Sequence, residues 1–270
     1  MITISGIKVV VIGACGRMGR EVVKAVQAAD NMQVVGAVDV IHNGEDIGTL
    51  LGMGSISVPI HSKLEEVFLA TSPDVMVDFT TPENVVKNIK MAISHNIRPV
   101  VGTTGISREE LAEINGLCEE KSLGCIIAPN FAIGAILMMI FAKQAARYMP
   151  HVEIIEFHHD QKLDAPSGTA LKTAELITKE RKVFQQGHPS EEELISGARG
   201  GEFDGMRIHS VRLPGLVAHQ EVIFGDIGQT LSIRHDSINR ESFMPGVVLA
   251  VSKAMDLKGV VYGLENIITE

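Results

Sequence analysis

The sequence predicts an α/β fold in its first half and a second, α+β domain with a mostly antiparallel or mixed sheet. Strand-like apolar runs alternate with helix-like segments up to about residue 130, which predicts a mostly parallel sheet with helices on both faces. Beyond that point, three extended segments lie close together and short turns separate them, as in an antiparallel meander. They are Arg207–Leu213, His219–Phe224 and Gln229–His235. A chain of 270 residues is long enough for two such domains.

The elements of the first half follow in a regular order. Lys8–Ile12 is a continuous apolar run, typical of a strand buried on both faces, and the glycine-rich turn Gly13–Gly19 leads from it into an amphipathic helix. Pro82 suits the first position of a later helix, and Ser107 with Glu110 forms a capping box before another. Further strands are expected over Gln33–Asp39, Asp74–Phe79, Arg98–Val101 and Gly124–Ala128.

The second half has fewer repeating units. An apolar stripe at helical spacing predicts a helix from Ile133 to about Met149, and Val152–Phe157 is strand-like. The acidic run Glu191–Glu193 is interpreted as a solvated helix start, and the glycine-rich Ser196–Gly205 as a mobile loop. A helix over Pro245–Met255 and a short apolar segment, Val260–Leu264, are expected to return to the first domain.

Composition excludes several classes of function. The chain carries 24 Lys and Arg against 33 Asp and Glu, a formal charge of −9, which argues against a nucleic-acid partner. No apolar run is long enough to span a membrane, and the first residues lack the basic region of a signal peptide. The cysteines, Cys15, Cys118 and Cys125, show no CxxC spacing, so neither a disulfide framework nor a structural zinc site is expected. The predicted compartment is the cytoplasm.

The glycine-rich turn has the setting of a dinucleotide-binding loop. Ala14, Gly16 and Gly19 have the spacing of GxGxxG with alanine at the first position, between an apolar strand and a helix. Asp39 lies 39 − 19 = 20 residues beyond Gly19, where a carboxylate binds a ribose diol. No basic residue follows Asp39, which favours NADH over NADPH. The alternative for the turn is a glycine turn without a ligand. Cys15 is interpreted as a small space-filling residue, with a redox role as the alternative.

The densest group of chemically active residues is the segment from Glu153 to Ala170. His158 and His159 end a predicted strand, and histidine can donate a proton near neutral pH. Lys162 offers a positive charge, and the Pro-Ser-Gly-Thr turn begins a helix whose free N–H groups favour an anion. Each residue also has a structural interpretation: Lys162 as a surface charge, and Ser167 as a helix cap alone. A metal site is not expected, because adjacent histidines on a strand point to opposite faces.

The string E-x-x-E-x-H-H-x-x-K-x-D-x-P-S-G-T-A resembles the signature of the dihydrodipicolinate reductase family of lysine and diaminopimelate biosynthesis. The segments GACGRMGR, VDFTTP, VVGTTG and APNF resemble that family's cofactor-lining segments, and Ser210–Phe243 is similar as well. The resemblance therefore extends over nearly the whole chain.

This resemblance implies a residue-by-residue assignment. His158 would be the proton donor and Lys162 a second one, while His159, Ser167, Gly168 and Thr169 would bind a small dicarboxylate substrate. The cofactor-binding residues would be Gly13, Ala14, Cys15, Gly16, Arg17, Met18, Asp39, Gly102, Thr103, Thr104, Ala128, Pro129, Asn130 and Phe131. No metal is implied. Relatives that use NADP often carry basic residues where this chain has Val40 and Thr81, which supports NADH as the preferred cofactor and leaves NADPH as a second one.

The same resemblance implies the domain organisation. A Rossmann dinucleotide-binding domain would comprise residues 1–130 and 241–270, and a substrate-binding domain whose sheet builds a homotetramer would comprise 131–240. Hinges are expected near Asn130 and Arg240, and Arg240 is expected to join His158, His159 and Lys162 in a small cationic pocket.

The predicted function is therefore NAD(P)H-dependent reduction of 4-hydroxy-tetrahydrodipicolinate, through dihydrodipicolinate, to tetrahydrodipicolinate. Two alternatives remain open: a related two-domain amino-acid dehydrogenase, and a regulator that binds NADH without turnover. The dehydrogenase would not need the His-His-Lys-Pro-Ser-Gly-Thr run, and the regulator would not need Lys162, which is present.

Overall fold

A seven-stranded parallel sheet forms the centre of one of two compact units in the computed structural model, which describes residues 6–182 and 184–268. This unit comprises residues 6–131 and 243–268. Its strands are β1 (Ile7–Ile12), β2 (Met32–Val38), β3 (Ile60–His61), β4 (Val75–Asp78), β5 (Arg98–Val101), β6 (Gly124–Ile127) and β12 (Gly259–Tyr262). Their spatial order, β12-β6-β5-β4-β1-β2-β3, contains the 3-2-1-4-5-6 order of a Rossmann fold, with β12 added beside β6. The α/β fold with a Rossmann-type first unit is therefore confirmed, and so is the return of the last strand to the first sheet.

Helices cover both faces of this sheet because its central strands are apolar on both sides. They are α1 (Arg17–Ala28), α2 (Ile47–Leu50), α3 (Leu64–Thr71), α4 (Pro82–Ser94), α5 (Arg108–Lys121), α8 (Met244–Ala254) and α9 (Glu265–Ile268). Val10 packs into a buried cluster with Ile89 of α4 and Ile114 of α5, whereas α1 and α8 pack together. Pro82 occupies the first turn of α4, and the capping box of Ser107 with Glu110 is present at the start of α5, as the sequence predicts.

The second unit, residues 132–182 and 184–242, is built on a five-stranded mixed sheet. Its strands are β7 (His151–His158), β8 (Gly201–Phe203), β9 (Met206–Arg212), β10 (Ala218–Asp226) and β11 (Gln229–Ser237), and its helices are α6 (Ile133–Ala145) and α7 (Gly168–Thr178). The spatial order is β11-β10-β7-β9-β8, with β7 and β9 parallel and the other pairs antiparallel. The predicted mixed sheet is confirmed.

The predicted meander is wrong in one respect. The strands β9 and β10 are consecutive along the chain but do not pair, because β7 lies between them and pairs with both. The connection 213–217 therefore crosses one strand, a distance of about 10 Å for two strand spacings. The consequence for the site is direct: β7, which ends at His158, becomes the central strand.

Two local expectations are also wrong. Residues 191–193 do not begin a helix; the Glu193 carboxylate accepts hydrogen bonds from the N–H groups of Gly197 and Arg199 and closes a turn.

Part of the predicted loop 196–205 is the strand β8, joined to β9 by a two-residue hairpin turn in which Asp204 (φ 48°) and Gly205 (φ 77°) both have positive φ. An Asp-Gly pair is a strong signal for this turn, since it requires positive φ at both positions.

Candidate active site

In the first unit, the sequence-predicted cofactor residues lie at one edge of the sheet. Residues 13–18 follow β1, Asp39 follows β2, residues 102–104 follow β5, and residues 128–131 follow β6. Because all these strands are parallel, their carboxyl ends meet at the same edge, where doubly wound sheets bind ligands.

The glycine loop is held in a tight turn by backbone contacts. Gly13 has φ +71°, and its N–H donates to the carbonyl of Val38 at 2.9 Å. A Cβ at Gly19 would lie 2.0 Å from the carbonyl oxygen of Gly13, so only glycine lets α1 approach the loop so closely. Gly16 caps α1 in an extended conformation, and Arg17 and Met18 begin the helix. The N–H groups of this first turn are available to an anion.

Asp39 connects the end of β2 to the glycine loop. Its carboxylate accepts hydrogen bonds from the N–H of Cys15 at 2.8 Å and of Ile41 at 3.3 Å. Gly13 and Asp39, with Val40, Thr80 and other residues that follow the strands, line a cavity of about 810 Å³. Burial, and next the charge of Asp39, raises the pKa of the Cys15 thiol to about 11, so this cysteine is a space-filling residue and not a thiolate.

A buried carboxylate that sequence reasoning did not single out organises the neighbouring loops. Asp78 is fully buried at the end of β4 and accepts hydrogen bonds from Thr80, Asn88 and Thr103. The Gly102 N–H donates to the carbonyl of Asp78 at 2.9 Å. The signal available in the sequence was the single acid that ends the apolar run VMV in VMVDF.

Gly102 is fixed by the aromatic side chain beside it. A Cβ at Gly102 would lie 2.0 Å from the ring of Phe79, and that ring packs against Phe131 with centroids 5.7 Å apart. The predicted residues 102–104 and 128–131 are therefore brought together through Phe79.

In the second unit, His158 is the last residue of the central strand β7, and its ring contacts the side chain of Glu156. The Nδ1 atom of His158 contacts the Glu156 carboxylate, two residues earlier on the same face of the strand. Glu156 is completely buried, whereas the His158 side chain is 15% exposed. The histidine ring is therefore anchored at one nitrogen inside the protein.

Glu156 also binds Arg212, its diagonal neighbour on β9. Arg212 donates to both carboxylate oxygens, at 2.8 and 2.7 Å, and the N–H of Ser167 donates to the same carboxylate at 3.3 Å. Burial alone would raise the pKa of Glu156, but hydrogen bonds from His158, Arg212 and Ser210 outweigh it and lower the pKa to about 2. Glu156 is therefore an ionised carboxylate, and it accepts hydrogen bonds from β7, from β9 and from the residue that caps α7.

Lys162 lies in the loop after β7 and pairs with Asp164. Its Nζ atom is 2.7 and 2.9 Å from the two carboxylate oxygens of Asp164, and this hydrogen bond lowers the pKa of the Asp164 carboxyl. The guanidinium of Arg212 donates to the backbone carbonyl of Asp164 at 2.8 Å, which anchors this loop to the sheet.

The helix α7 begins beside these residues. The Ser167 hydroxyl accepts from the N–H of Ala170 at 3.2 Å, so its capping role is present. Ser167 is buried, Thr169 is half-buried and Gly168 is exposed. A Cβ at Gly168 would meet no atom of the described residues within 4 Å, which leaves open space over the first turn of this helix.

Two other predicted members of the pocket have exposed side chains. His159 is exposed next to His158, and Arg240 lies with its side chain exposed in a short 3₁₀ turn, Arg240–Phe243. Within residues 6–182 and 184–268, no hydrogen bond or ion pair joins Arg240 to His158 or Lys162. The cations of the expected pocket have acidic partners: Glu156 contacts His158, and Asp164 pairs with Lys162.

Models of one protein family match both parts of the chain. The model described as "Dihydrodipicolinate reductase, N-terminus" matches residues 7–131, and "Dihydrodipicolinate reductase, C-terminus" matches residues 134–268. The chain belongs to the dihydrodipicolinate reductase family. The resemblance stated from the Glu153–Ala170 signature is thereby confirmed.

Similar proteins agree with this family membership. A 4-hydroxy-tetrahydrodipicolinate reductase of Halalkalibacterium halodurans is 57% identical over 97% of this chain and 99% of its own, and that of Bacillus subtilis is 56% identical over 97% and 98%. Among solved structures, a dipicolinate-bound dihydrodipicolinate reductase from Paenisporosarcina sp. TG-14 is 50% identical, with a TM-score of 0.88 over 97% of this chain and 99% of that chain. An amine dehydrogenase of Mycobacterium smegmatis, 16% identical with a TM-score of 0.68, shares the fold.

Within this dihydrodipicolinate reductase fold, sequence reasoning missed Glu156, Arg212 and Asp164 as site residues. Glu156 could have been found, since it lies two residues before His158 in a predicted strand and therefore on the same face. Arg212 could not, because only the insertion of β7 beside β9 brings it to Glu156.

Among residues 6–182 and 184–268, no group of three or more His, Cys, Asp or Glu is arranged to hold a metal ion. No helix in the same residues has the length and apolarity needed to cross a membrane.

Proposed function

We propose that this protein catalyses NAD(P)H-dependent reduction of 4-hydroxy-tetrahydrodipicolinate, through dihydrodipicolinate, to tetrahydrodipicolinate in lysine and diaminopimelate biosynthesis. The observation that carries the proposal is the Glu153–Ala170 segment, in which a histidine, a lysine and a helix start follow one another at the end of one strand. Relatives that are 57% and 56% identical over nearly the whole chain bear the reductase name.

The first unit is assigned to the dinucleotide. Its cavity of about 810 Å³ beside Gly13 and Asp39 has the size of a small-molecule site, and Gly19 lets α1 approach the backbone of Gly13 closely. Gly13 to Met18 would hold the pyrophosphate and Asp39 the ribose diol, with residues 102–104 and 128–131 alongside. A reduced nicotinamide, when bound, supplies the hydride for C4 of the cyclic imino dicarboxylate.

NADH is the preferred cofactor in this proposal. The Asp39 carboxylate repels a 2′-phosphate, and the exposed Val40 that follows it offers no charge to bind one. Lys63 and Lys87 line the same cavity, and they are the cations that would face a 2′-phosphate when NADPH serves as a second, poorer cofactor.

The second unit is assigned to the substrate and to oligomerisation. His158 donates the proton to the carbon next to C4, and Lys162 turns from Asp164 to a substrate carboxylate. The N–H groups of Gly168 and Thr169 at the start of α7 hold a carboxylate, with His159 beside them. The dipicolinate in the Paenisporosarcina structure is a planar dicarboxylate of the kind that this site would take. We further propose a cytoplasmic homotetramer, assembled through this unit.

The test is NADH oxidation, followed by absorbance, with freshly made 4-hydroxy-tetrahydrodipicolinate. We expect saturable oxidation by the wild-type protein and a kcat lowered by about 10²-fold or more in both His158→Ala and Lys162→Ala, with NADH binding unchanged. Absence of oxidation under saturating conditions would overturn the function in favour of a regulator. Near-wild-type turnover in both variants would overturn the residue assignments alone.

A further inference from the structure

The proposed mechanism uses His158 but leaves unexplained the completely buried carboxylate that contacts its Nδ1 atom. Glu156 accepts from five donors: His158, both terminal nitrogens of Arg212, the Ser167 N–H and the Ser210 hydroxyl. A buried carboxylate is costly unless its lone pairs are all used, and here they are. Such an arrangement holds the carboxylate, and whatever it binds, in a single position.

The ionisation state of Glu156 determines which nitrogen of His158 carries a proton. The pKa of Glu156 is lowered to about 2, because the hydrogen bonds from His158, Arg212 and Ser210 outweigh the effect of burial. An ionised carboxylate can only accept a hydrogen bond, so the Nδ1 atom of His158 must donate one. The Nε2 atom is then the ring nitrogen left for the substrate.

The ion pair of Glu156 and Arg212 also holds the loop that carries Lys162 and the start of α7. Arg212 donates to the backbone carbonyl of Asp164, in the loop that carries Lys162, at 2.8 Å. Glu156 accepts from the N–H of Ser167, the residue that caps α7. The proton donor, the lysine loop and the helix start are thus tied to one buried ion pair.

We propose that Glu156 and Arg212 are positioning residues: together they fix the tautomer and orientation of His158 and its place relative to the Lys162 loop and the start of α7. This inference rests on the proposed function and extends it to two residues that touch no substrate. The groups that face Glu156 are His158 from β7, Arg212 and Ser210 from β9, Ser167 from α7, and Gln220, its cross-strand neighbour on β10.

The test compares Glu156→Gln and Arg212→Lys with Glu180→Gln. The control carboxylate also accepts two hydrogen bonds from one arginine, Arg147, at 2.8 and 3.1 Å, but among the residues that the structure describes it pairs with no histidine. Glu156→Gln keeps the shape of the side chain and removes its charge. Arg212→Lys keeps the charge and removes the paired donors, and it provides a second variant in case the first fails to fold.

We expect Glu156→Gln to lower kcat by about 10- to 100-fold with KM for the substrate changed less, because proton transfer is impaired more than binding. The alkaline limb of its kcat–pH profile should move to lower pH, since a negative charge beside the imidazolium is lost. Arg212→Lys should lower kcat and raise KM together, because the loop and helix start lose an anchor. Glu180→Gln should match the wild type in all three measurements.

A readout without turnover separates this inference from the proposed function. Long-range ¹H–¹⁵N NMR of the protein without substrate reports which ring nitrogen of His158 is protonated. We expect the Nδ1-protonated form in the wild type and its loss in Glu156→Gln. Retention of that form, or a wild-type kcat and pH profile in a folded Glu156→Gln when His158→Ala is impaired, would overturn the positioning role. If the wild-type protein does not oxidise NADH, the proposed function is wrong. The NMR result then decides by itself whether Glu156 fixes the tautomer of His158.

Discussion

The carboxylate of Asp39 accepts the backbone N–H of Cys15 at 2.8 Å and so ties the end of β2 to the glycine loop that follows β1. Asp39 therefore has two roles in the proposed cofactor site: it holds the glycine loop in its conformation, and it presents a negative charge to the ribose. These roles can be separated, because an amide retains an acceptor oxygen but loses the charge.

Asp39→Asn is expected to change cofactor preference while keeping the fold. The ratio of kcat/KM for NADPH to that for NADH should rise by about 10-fold, since the repulsion of a 2′-phosphate is removed. Steady-state kinetics with both cofactors measure this ratio. Asp30→Asn, an exposed site just before β2 at the other end of that strand, is the control. An unchanged ratio in Asp39→Asn would contradict the assignment of Asp39 to the ribose.

Gly19→Ala is expected to damage both stability and cofactor binding. Its Cβ would lie 2.0 Å from the carbonyl oxygen of Gly13, so α1 must move away from the loop, at a cost of about 1–3 kcal/mol. Thermal unfolding and NADH titration measure the two effects. Gly116→Ala is the matched control, because it lies inside α5 with no atom of the described residues within 4 Å of its Cβ, and should stabilise by about 0.5–1 kcal/mol. Equal effects of the two substitutions would refute the close-approach argument.

Lys162→Ala should separate catalysis from dinucleotide binding. We expect kcat to fall by about 10²-fold and the Kd of NADH to stay within a factor of two, because Lys162 lies in the second unit. Asp164→Asn should lower kcat less, since it releases Lys162 without removing its charge. Lys179→Ala, at the opposite end of α7, serves as the control. Loss of NADH affinity in Lys162→Ala would argue against its role in the substrate site.

The stability of the first unit should depend on pH through Asp46. This carboxylate accepts from the N–H and hydroxyl groups of Thr49 and from the N–H groups of Val58 and Ile56, and the hydrogen bond from the Thr49 N–H contributes most to lowering its pKa to about 2. Because the folded-state pKa lies below the unfolded value of about 3.9, the stabilisation is complete above about pH 4 and is lost as the pH falls towards 2.

Asp46→Asn should therefore lower Tm at neutral pH. The difference in Tm between the variant and the wild type should become smaller as the pH falls from about 4 to about 2. Differential scanning calorimetry over that range measures it. Asp256→Asn, an exposed carboxylate after α8, should show no such convergence. A difference in Tm that stays constant with pH would show that the effect of Asp46 is not electrostatic.

The parts of the fold that follow from local pattern could be predicted, and those set by long-range pairing could not. The apolar run before Gly13, the Ser107 capping box and the strand ending at His158 are local signals, and the structure contains all three. The position of β7 between β9 and β10 depends on the pairing of residues 54 to 74 positions apart in the chain, for which the sequence holds no local signal. The contact between Arg212 and Glu156 depends on that same pairing. The Asp204-Gly205 hairpin was a local signal, but the high glycine content around it favoured a loop.

The pairing of β12 with β6 has a consequence for how the protein is made. The strand β12, Gly259–Tyr262, is synthesised after the whole of residues 132–242, yet it completes the sheet that begins with β1. A Cβ at Gly246 would lie 2.0 Å from the carbonyl oxygen of Phe131, so the chain re-enters the first unit directly against the point where it left. On the ribosome, the later-encoded unit can therefore finish folding before the earlier one. The edge of β6 that pairs with β12 therefore stays without its partner strand until the last residues of the chain have been made.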